Sequence, residues 1–141
     1  MAQVGAFLLS LFLSLPSSMT ADIERAFLQN DARWLLARFP AGRPVSIALP
    51  EPIAFSDQVS REQAYYLFAG IFRTYSTFEF FLEPGLFASL SGGRAIFKAR
   101  WSFLDKAEKP FVFEAYFYVR SREGGRERIV WEITEIKADR L

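Results

Sequence analysis

At 141 residues, 51% hydrophobic and 17% aromatic with 16 phenylalanines, the chain is long enough to bury one sizeable core and too apolar to remain disordered. Its 17 basic and 16 acidic side chains nearly cancel, so nucleic acid is not an expected partner. Cysteine and histidine are absent, which removes thiol nucleophiles, disulfides, Ser-His and Cys-His dyads and the common zinc ligand sets. No metal or cofactor is expected, and carboxylates, lysines and tyrosines are what remains for acid-base chemistry.

In chain order, residues 6–15 form an apolar run too short to cross a bilayer, followed by Pro16, Ser17, Ser18 and small residues up to Ala21. This reads as a signal peptide over residues 1–21, leaving a single exported domain over 22–141, periplasmic or secreted, with no stable membrane insertion after cleavage. No Lys or Arg precedes Arg25 and Met19 is bulky for a cleavage site, so the competing reading is a buried or uncleaved N-terminal helix.

From Thr20 the pattern turns helical. Thr20 suits a cap, Asp22 and Glu24 suit a first turn, and Ile23, Phe27 and Leu28 make one stripe. Asn30-Asp31 interrupts, and Asp31 starts a short second helix with Leu35, Leu36 and Phe39 facing inward and Trp34 beside them. Residues 45–49 and 53–55 read as short strands hemmed in by Pro44, Pro50 and Pro52, which places them near a sheet edge. Ser60 with Gln63 is a capping box, and Ala64, Leu67, Phe68, Ile71, Phe72 and Tyr75 share one face of the long helix it opens.

The last part of the chain reads as four strands. Ala95, Phe97, Ala99, Trp101 and Phe103 alternate with Arg94, Lys98, Arg100 and Ser102. Phe111, Phe113, Ala115, Phe117 and Val119 alternate with Val112, Glu114, Tyr116, Tyr118 and Arg120. Phe78, Phe80 and Leu82 oppose Glu79 and Glu83, while Ile129, Trp131 and Ile133 oppose Val130, Glu132 and Thr134. Gly- and charge-rich breaks between these runs suit antiparallel hairpins. The expected class is α+β, in the order ααββαββββ, with a curved antiparallel sheet of about six strands wrapped around three helices.

That order, with residues 22–39 leading into 45–49 and Ser60-Arg61-Glu62-Gln63-Ala64 opening the long helix, resembles the nuclear-transport-factor-2-like superfamily, the cystatin-like cone fold. Within it, the Asn30-Asp31 break, Phe39 and the Ser-x-x-Gln-Ala helix start are similar to an exported bacterial family of unknown function. The resemblance implies a cone over roughly residues 22–139, often with a pocket at its open end, and brings no catalytic residues. Enzymes of the superfamily, such as steroid isomerases and dehydratases, use Asp, His and Tyr inside the cone. This chain has no His and shows no inward Asp or Glu on residues 95–103 or 111–119, so catalysis is not expected.

Three sets of residues are candidates for function. Trp34, Tyr65, Phe68, Phe72, Trp101, Phe113 and Trp131 would line a pocket for a small apolar ligand, with Ala99 and Ala115 leaving room, or would simply fill the core. On the opposite sheet face, Lys98 and Arg100 face Glu114 and Glu132 in a charge ladder, among Val112, Tyr116, Tyr118, Val130 and Ile136. A Tyr-rich, partly apolar face of this kind suits a homodimer interface. Arg94, Arg122, Arg126 and Arg128 flank the Gly-rich turns, where they either solubilise the turns or bind an anionic group. The expected role is an exported non-catalytic binding or assembly module; the alternative is a carrier or an isomerase- or dehydratase-like enzyme using the cone interior.

Overall fold

The computed structural model describes residues 17–83, 93–125 and 128–141. Most of the expected signal peptide, the Ser91-Gly92 part of one turn, and Arg126 lie outside the described residues.

Helix α1 spans Ser17–Leu28, so Thr20, Asp22 and Glu24 sit inside it rather than at its start. Its buried stripe is Met19, Ile23, Ala26 and Phe27, spaced as a 3.6-residue period requires. Leu28, one step round the helix from Phe27, is 51% exposed instead of sharing the stripe. Helix α2, Arg33–Leu36, is opened by Asp31, whose carboxylate accepts the Arg33 backbone N–H at 3.0 Å. Its buried face carries Leu35 alone, which turns Trp34 outward: this residue is 36% exposed, with the Arg25 guanidinium 5.0 Å from its ring centre. Trp34 therefore does not line the interior, because a one-turn helix that buries Leu35 points its neighbour away from the core.

Strands β1 (Val45–Leu49) and β2 (Phe55–Val59) form an antiparallel hairpin at one sheet edge. The second strand was expected over 53–55, but those first residues belong to the turn, where the Pro50 carbonyl accepts from both Ile53 and Ala54 at 3.0 Å. Asp57 and Gln58 pair despite their low strand propensity because the main-chain ladder to β1 carries them. Helix α3, Arg61–Thr74, starts on the capping box: Gln63 N–H donates to Ser60 Oγ at 3.2 Å, and Ser60 N–H donates to Gln63 Oε1 at 2.9 Å.

Strands β3 (Ser76–Leu82), β4 (Arg94–Leu104), β5 (Pro110–Gly124) and β6 (Arg128–Arg140) complete a curved six-stranded sheet in the order β2-β1-β6-β5-β4-β3. Neighbours pair antiparallel as expected, except that β1 and β6 run parallel, Ile47 opposite Ile136. Bulges interrupt two pairings. In β3 the register slips between Thr77 and Glu79, which turns Phe78 out to 56% exposure and leaves Thr77 inside. In β6 the slip opposite Tyr118 and Val119 inserts Thr134, so Ile133 and Ile136 both face inward. Ile136, expected on the outer face, is 1% exposed for this reason. Ile129, opposite Glu123 at the hairpin tip, lies beyond the core and is exposed.

The core lies between the helices and the concave side of the sheet. Phe27 is its hub: its ring stacks on Phe80 at 4.4 Å and meets Trp101, Phe72, Phe117 and Phe68 edge-on at 4.9, 5.2, 5.7 and 5.9 Å. Such pairs add about 0.5–1.5 kcal/mol each beyond their area burial. Trp101 also donates its Nε1–H to Thr77 Oγ1 at 2.9 Å, a bond the β3 bulge makes possible.

Arg38 bolts the helices to β6. Its Nε donates to Asp22 at 2.8 Å, its terminal nitrogens donate to Ser18 Oγ and the Trp131 carbonyl, and its own carbonyl accepts the Ile133 N–H at 2.7 Å.

Candidate functional site

Of the residues expected to line an interior pocket, Phe68, Phe72, Trp101, Phe113 and Trp131 are all buried on the concave side. Four of them pack ring on ring: Trp101 meets Phe113 edge-on at 5.6 Å, and Phe68 lies 5.9 Å from Phe72 and 6.4 Å from Phe39. Tyr65 is half-buried at the margin, its ring 5.2 Å from that of Tyr66, which is 71% exposed. Phe27 and Phe39, which carry as much of this interior as any residue, were legible only as members of helical stripes.

The outer face of the sheet has two different ends. At one, the Lys98 ammonium donates to Glu114 at 2.7 Å and lies 3.8 Å from Glu83, while the Tyr116 hydroxyl donates to Glu114 at 2.6 Å. The neighbouring ammonium and then the hydroxyl hold the Glu114 carboxyl below its ordinary range. The same carboxylate raises Lys98 and Tyr116. Arg100, although directly opposite Glu114 across β4 and β5, pairs instead with Glu79 on β3 at 3.5 Å, Glu114 being engaged by Lys98 and Tyr116. Val112, Tyr116 and Tyr118 are half-buried around these pairs, Lys137 sits 5.6 Å from the Tyr118 ring centre, and Val130, also half-buried, lies at the far end opposite Arg122.

At the other end, charges do not balance. Arg94 lies directly opposite Arg120 across β4 and β5, and Arg120 lies opposite Glu132 across β5 and β6. Glu132 is 5% exposed and pairs diagonally with Arg122 at 3.0 Å instead. Arg120, Arg122 and Glu132 share a pocket of about 590 Å³ with Pro40, Ala41 and Arg43 from the segment after α2. Arg43 and Arg120 have no acidic partner among the described residues. Arg43 and Arg120 were not singled out in the sequence, where Glu132 stands between Trp131 and Ile133 and nothing local ties it to either arginine.

A second concavity, about 440 Å³, lies between α3 and the edge strand β2, lined mainly by Ile53, Phe55, Tyr66, Leu67, Ile71 and Tyr75. No group of three or more acidic, His or Cys side chains that would hold a metal ion occurs among the described residues, and no described helix is long and apolar enough to cross a membrane.

No protein-family model matches the chain, and no curated protein does. Solved structures do. A ketosteroid isomerase-like protein from Erwinia carotovora atroseptica superposes with a TM-score of 0.66 at 14% identity, over 90% of this chain and 93% of its own. An NTF2-like protein of unknown function in nutrient uptake from Rhodospirillum rubrum gives 0.65 at 8% identity, over 89% and 98%. An uncharacterised protein with a cystatin-like fold from Caulobacter vibrioides gives 0.62 at 11% identity, over 91% and 90%. At these identities the likeness is one of architecture, and the chain carries the nuclear-transport-factor-2-like, cystatin-like fold.

Proposed function

We propose that this chain is an exported, non-catalytic binding or assembly module that pairs with a second copy through the outer face of β4, β5 and β6. The observation that carries this reading is the make-up of that face. Val112, Tyr116 and Tyr118 are half-buried there around a Lys98–Glu114 pair that cancels its own charge, and Val130 is half-buried further along the same face, opposite Arg122. Tyrosine-rich patches with matched charge are what protein interfaces bury at low desolvation cost.

The interior supports a binding role over a catalytic one. The concave positions of β4 and β5 are Ala, Phe, Trp and Val, packed against α1 and α3, and the buried carboxylate of the described residues, Glu132, shares the outer-face pocket with Arg122. A general base inside the cone would need a carboxylate facing the rings. The isomerase-like names among the similar structures belong to those proteins, with which this chain shares architecture.

Export rests on the apolar run at residues 6–15, outside the described residues. Fractionation of cells carrying a C-terminally tagged full-length chain is expected to place a shortened product outside the cytoplasm. Cytoplasmic retention at unprocessed mass removes export from this reading. For pairing, light scattering of the purified chain at roughly 100 μM is expected to give a dimer that Tyr118→Glu converts to monomer. A strict monomer at that concentration, or a dimer indifferent to Tyr118→Glu, overturns it.

A further inference from the structure

We propose that the pocket formed by Arg43, Arg120, Arg122 and Glu132 binds a small, doubly charged oxyanion, a phosphate or a dicarboxylate. This goes beyond the pairing of outer faces and does not depend on it. Elsewhere some basic groups meet carboxylates, Arg38 with Asp22, Arg33 with Asp31, Lys98 with Glu114 and Arg100 with Glu79, and others, such as Arg61 and Arg73, stand singly with no acidic partner among the described residues. What sets this site apart is that several cations line one cavity. Three arginines line it with a single carboxylate, Glu132, which Arg122 holds at 3.0 Å.

The register makes the excess worse. Arg120 stands directly opposite Arg94, a like-charge cross-strand pair that weakens a sheet unless a counter-charge lies between or beside the two groups. Glu132 is on the other side of Arg120, yet its carboxylate is turned to Arg122. The two unmatched cations, Arg43 and Arg120, come from separate parts of the chain, the segment after α2 and the middle of β5. A charge concentration assembled from distant segments and left without a partner is suited to a ligand that supplies the missing charge.

The chemistry of the donors narrows the class. Guanidinium forks present parallel N–H groups that match two oxygens of a carboxylate or phosphate. Glu132, nine-tenths buried, does more than subtract a charge: it fixes the Nε edge of Arg122, whose Nη1 donates to the Glu123 carbonyl at 3.4 Å, and so holds this guanidinium in place beside the cavity. Pro40 and Ala41 supply a short apolar wall. Three cations less one anion leave a charge of two to be met, which favours a dianion over chloride or a monocarboxylate.

Calorimetric titration of the full-length chain with inorganic phosphate, and separately with succinate, tests the proposal. Saturable binding of at least one ion is expected below about 10 mM. Arg120→Gln and Arg43→Gln should each weaken it by about tenfold or more, as loss of a charged hydrogen bond does. Arg73→Gln, exposed on α3 and away from the pocket, should leave it unchanged. Arg43 is itself an exposed turn residue, so its variant keeps the fold and the comparison interpretable. No saturation by either ion, or binding that survives both pocket variants, overturns the proposal. Association confined to phosphatidylglycerol vesicles, with neither soluble ion bound, overturns it as well.

Discussion

The two faces of the β4–β5 hairpin differ in what they can tolerate. The concave face presents Ala95, Phe97, Ala99, Trp101 and Phe103 against Val119, Phe117, Ala115, Phe113 and Phe111, every one buried. A charge placed there would have to be desolvated without a partner, at a cost of several kcal/mol. The convex face carries ion pairs that keep at least one partner in reach of water, from Arg100–Glu79, exposed on both sides, to Arg122–Glu132, in which the arginine is half-exposed, and the exposed ones are worth little to folding. Stability is therefore concentrated on one side of the sheet. The other side is free to vary its charge from end to end, matched at Lys98–Glu114 and unmatched at Arg94–Arg120–Arg43, without endangering the fold.

The sharpest way to break this contrast is to hollow out the hub. Phe27→Ala should lower the unfolding free energy by about 3–5 kcal/mol. Arg120→Gln should change it by less than about 0.5 kcal/mol. Urea unfolding of both variants checks this, and equal midpoint shifts would refute the division of labour between faces.

A second cut tests where the folded part begins. Met19 is fully buried and Ser18 accepts a hydrogen bond from Arg38 at 3.2 Å, so a chain starting at Asp22 loses both. Against a chain starting at Ser17, it should be less stable by about 2–5 kcal/mol, the range for deleting a buried methionine side chain. Identical unfolding curves would mean that the first turn of α1 contributes nothing. If export removes residues 1–21, this cost falls on the mature protein.

The smallest expected effect belongs to the convex face. Lys98, then Tyr116, lower the folded-state pKa of Glu114. A depressed carboxyl contributes stability that is complete above the ordinary glutamate range and is lost as pH falls through the lowered value. Lys98 and Tyr116, both raised, act at the alkaline end: their share is complete below their ordinary ranges and is lost as pH climbs through the raised values. Glu114→Gln should thus be slightly less stable than the parent at neutral pH and indistinguishable from it in strong acid. A stability gap that persists in strong acid would assign the effect to packing instead of charge. Raising the salt concentration should narrow the neutral-pH gap, since the pair is partly exposed to solvent.

Much of this was readable from the chain because it is local. The Ser60–Gln63 box and the alternation along β4 and β5 involve residues that act within a turn or a strand, and the structure keeps both. Errors cluster where one residue changes a parity. Nothing in composition marks Phe78 or Thr134 as the extra residue of a bulge, yet each reverses the facing of its strand at that point, exposing Phe78 and burying Ile136. Trp34 was misplaced for a related reason: a single helical turn has too few residues to show which side is apolar. Arg122 was legible as a basic residue near a hairpin tip. Its relation to Glu132 and Arg43 was not, because the segment holding Arg43 reaches β5 and β6 only in the folded chain.

The amino-acid order by itself determined that an aromatic-faced sheet must be covered by helices, that no thiol or imidazole chemistry is available, and which long strands pair as neighbours. These follow from side-chain periodicity and inventory, which need no knowledge of distant contacts. Only the tertiary structure decided that Phe27 is the centre of the core, that β1 meets β6 in parallel, and that three arginines gather round Glu132. Each of those depends on segments far apart in the chain arriving at one place, and main-chain bulges set the final side of the sheet on which a residue arrives.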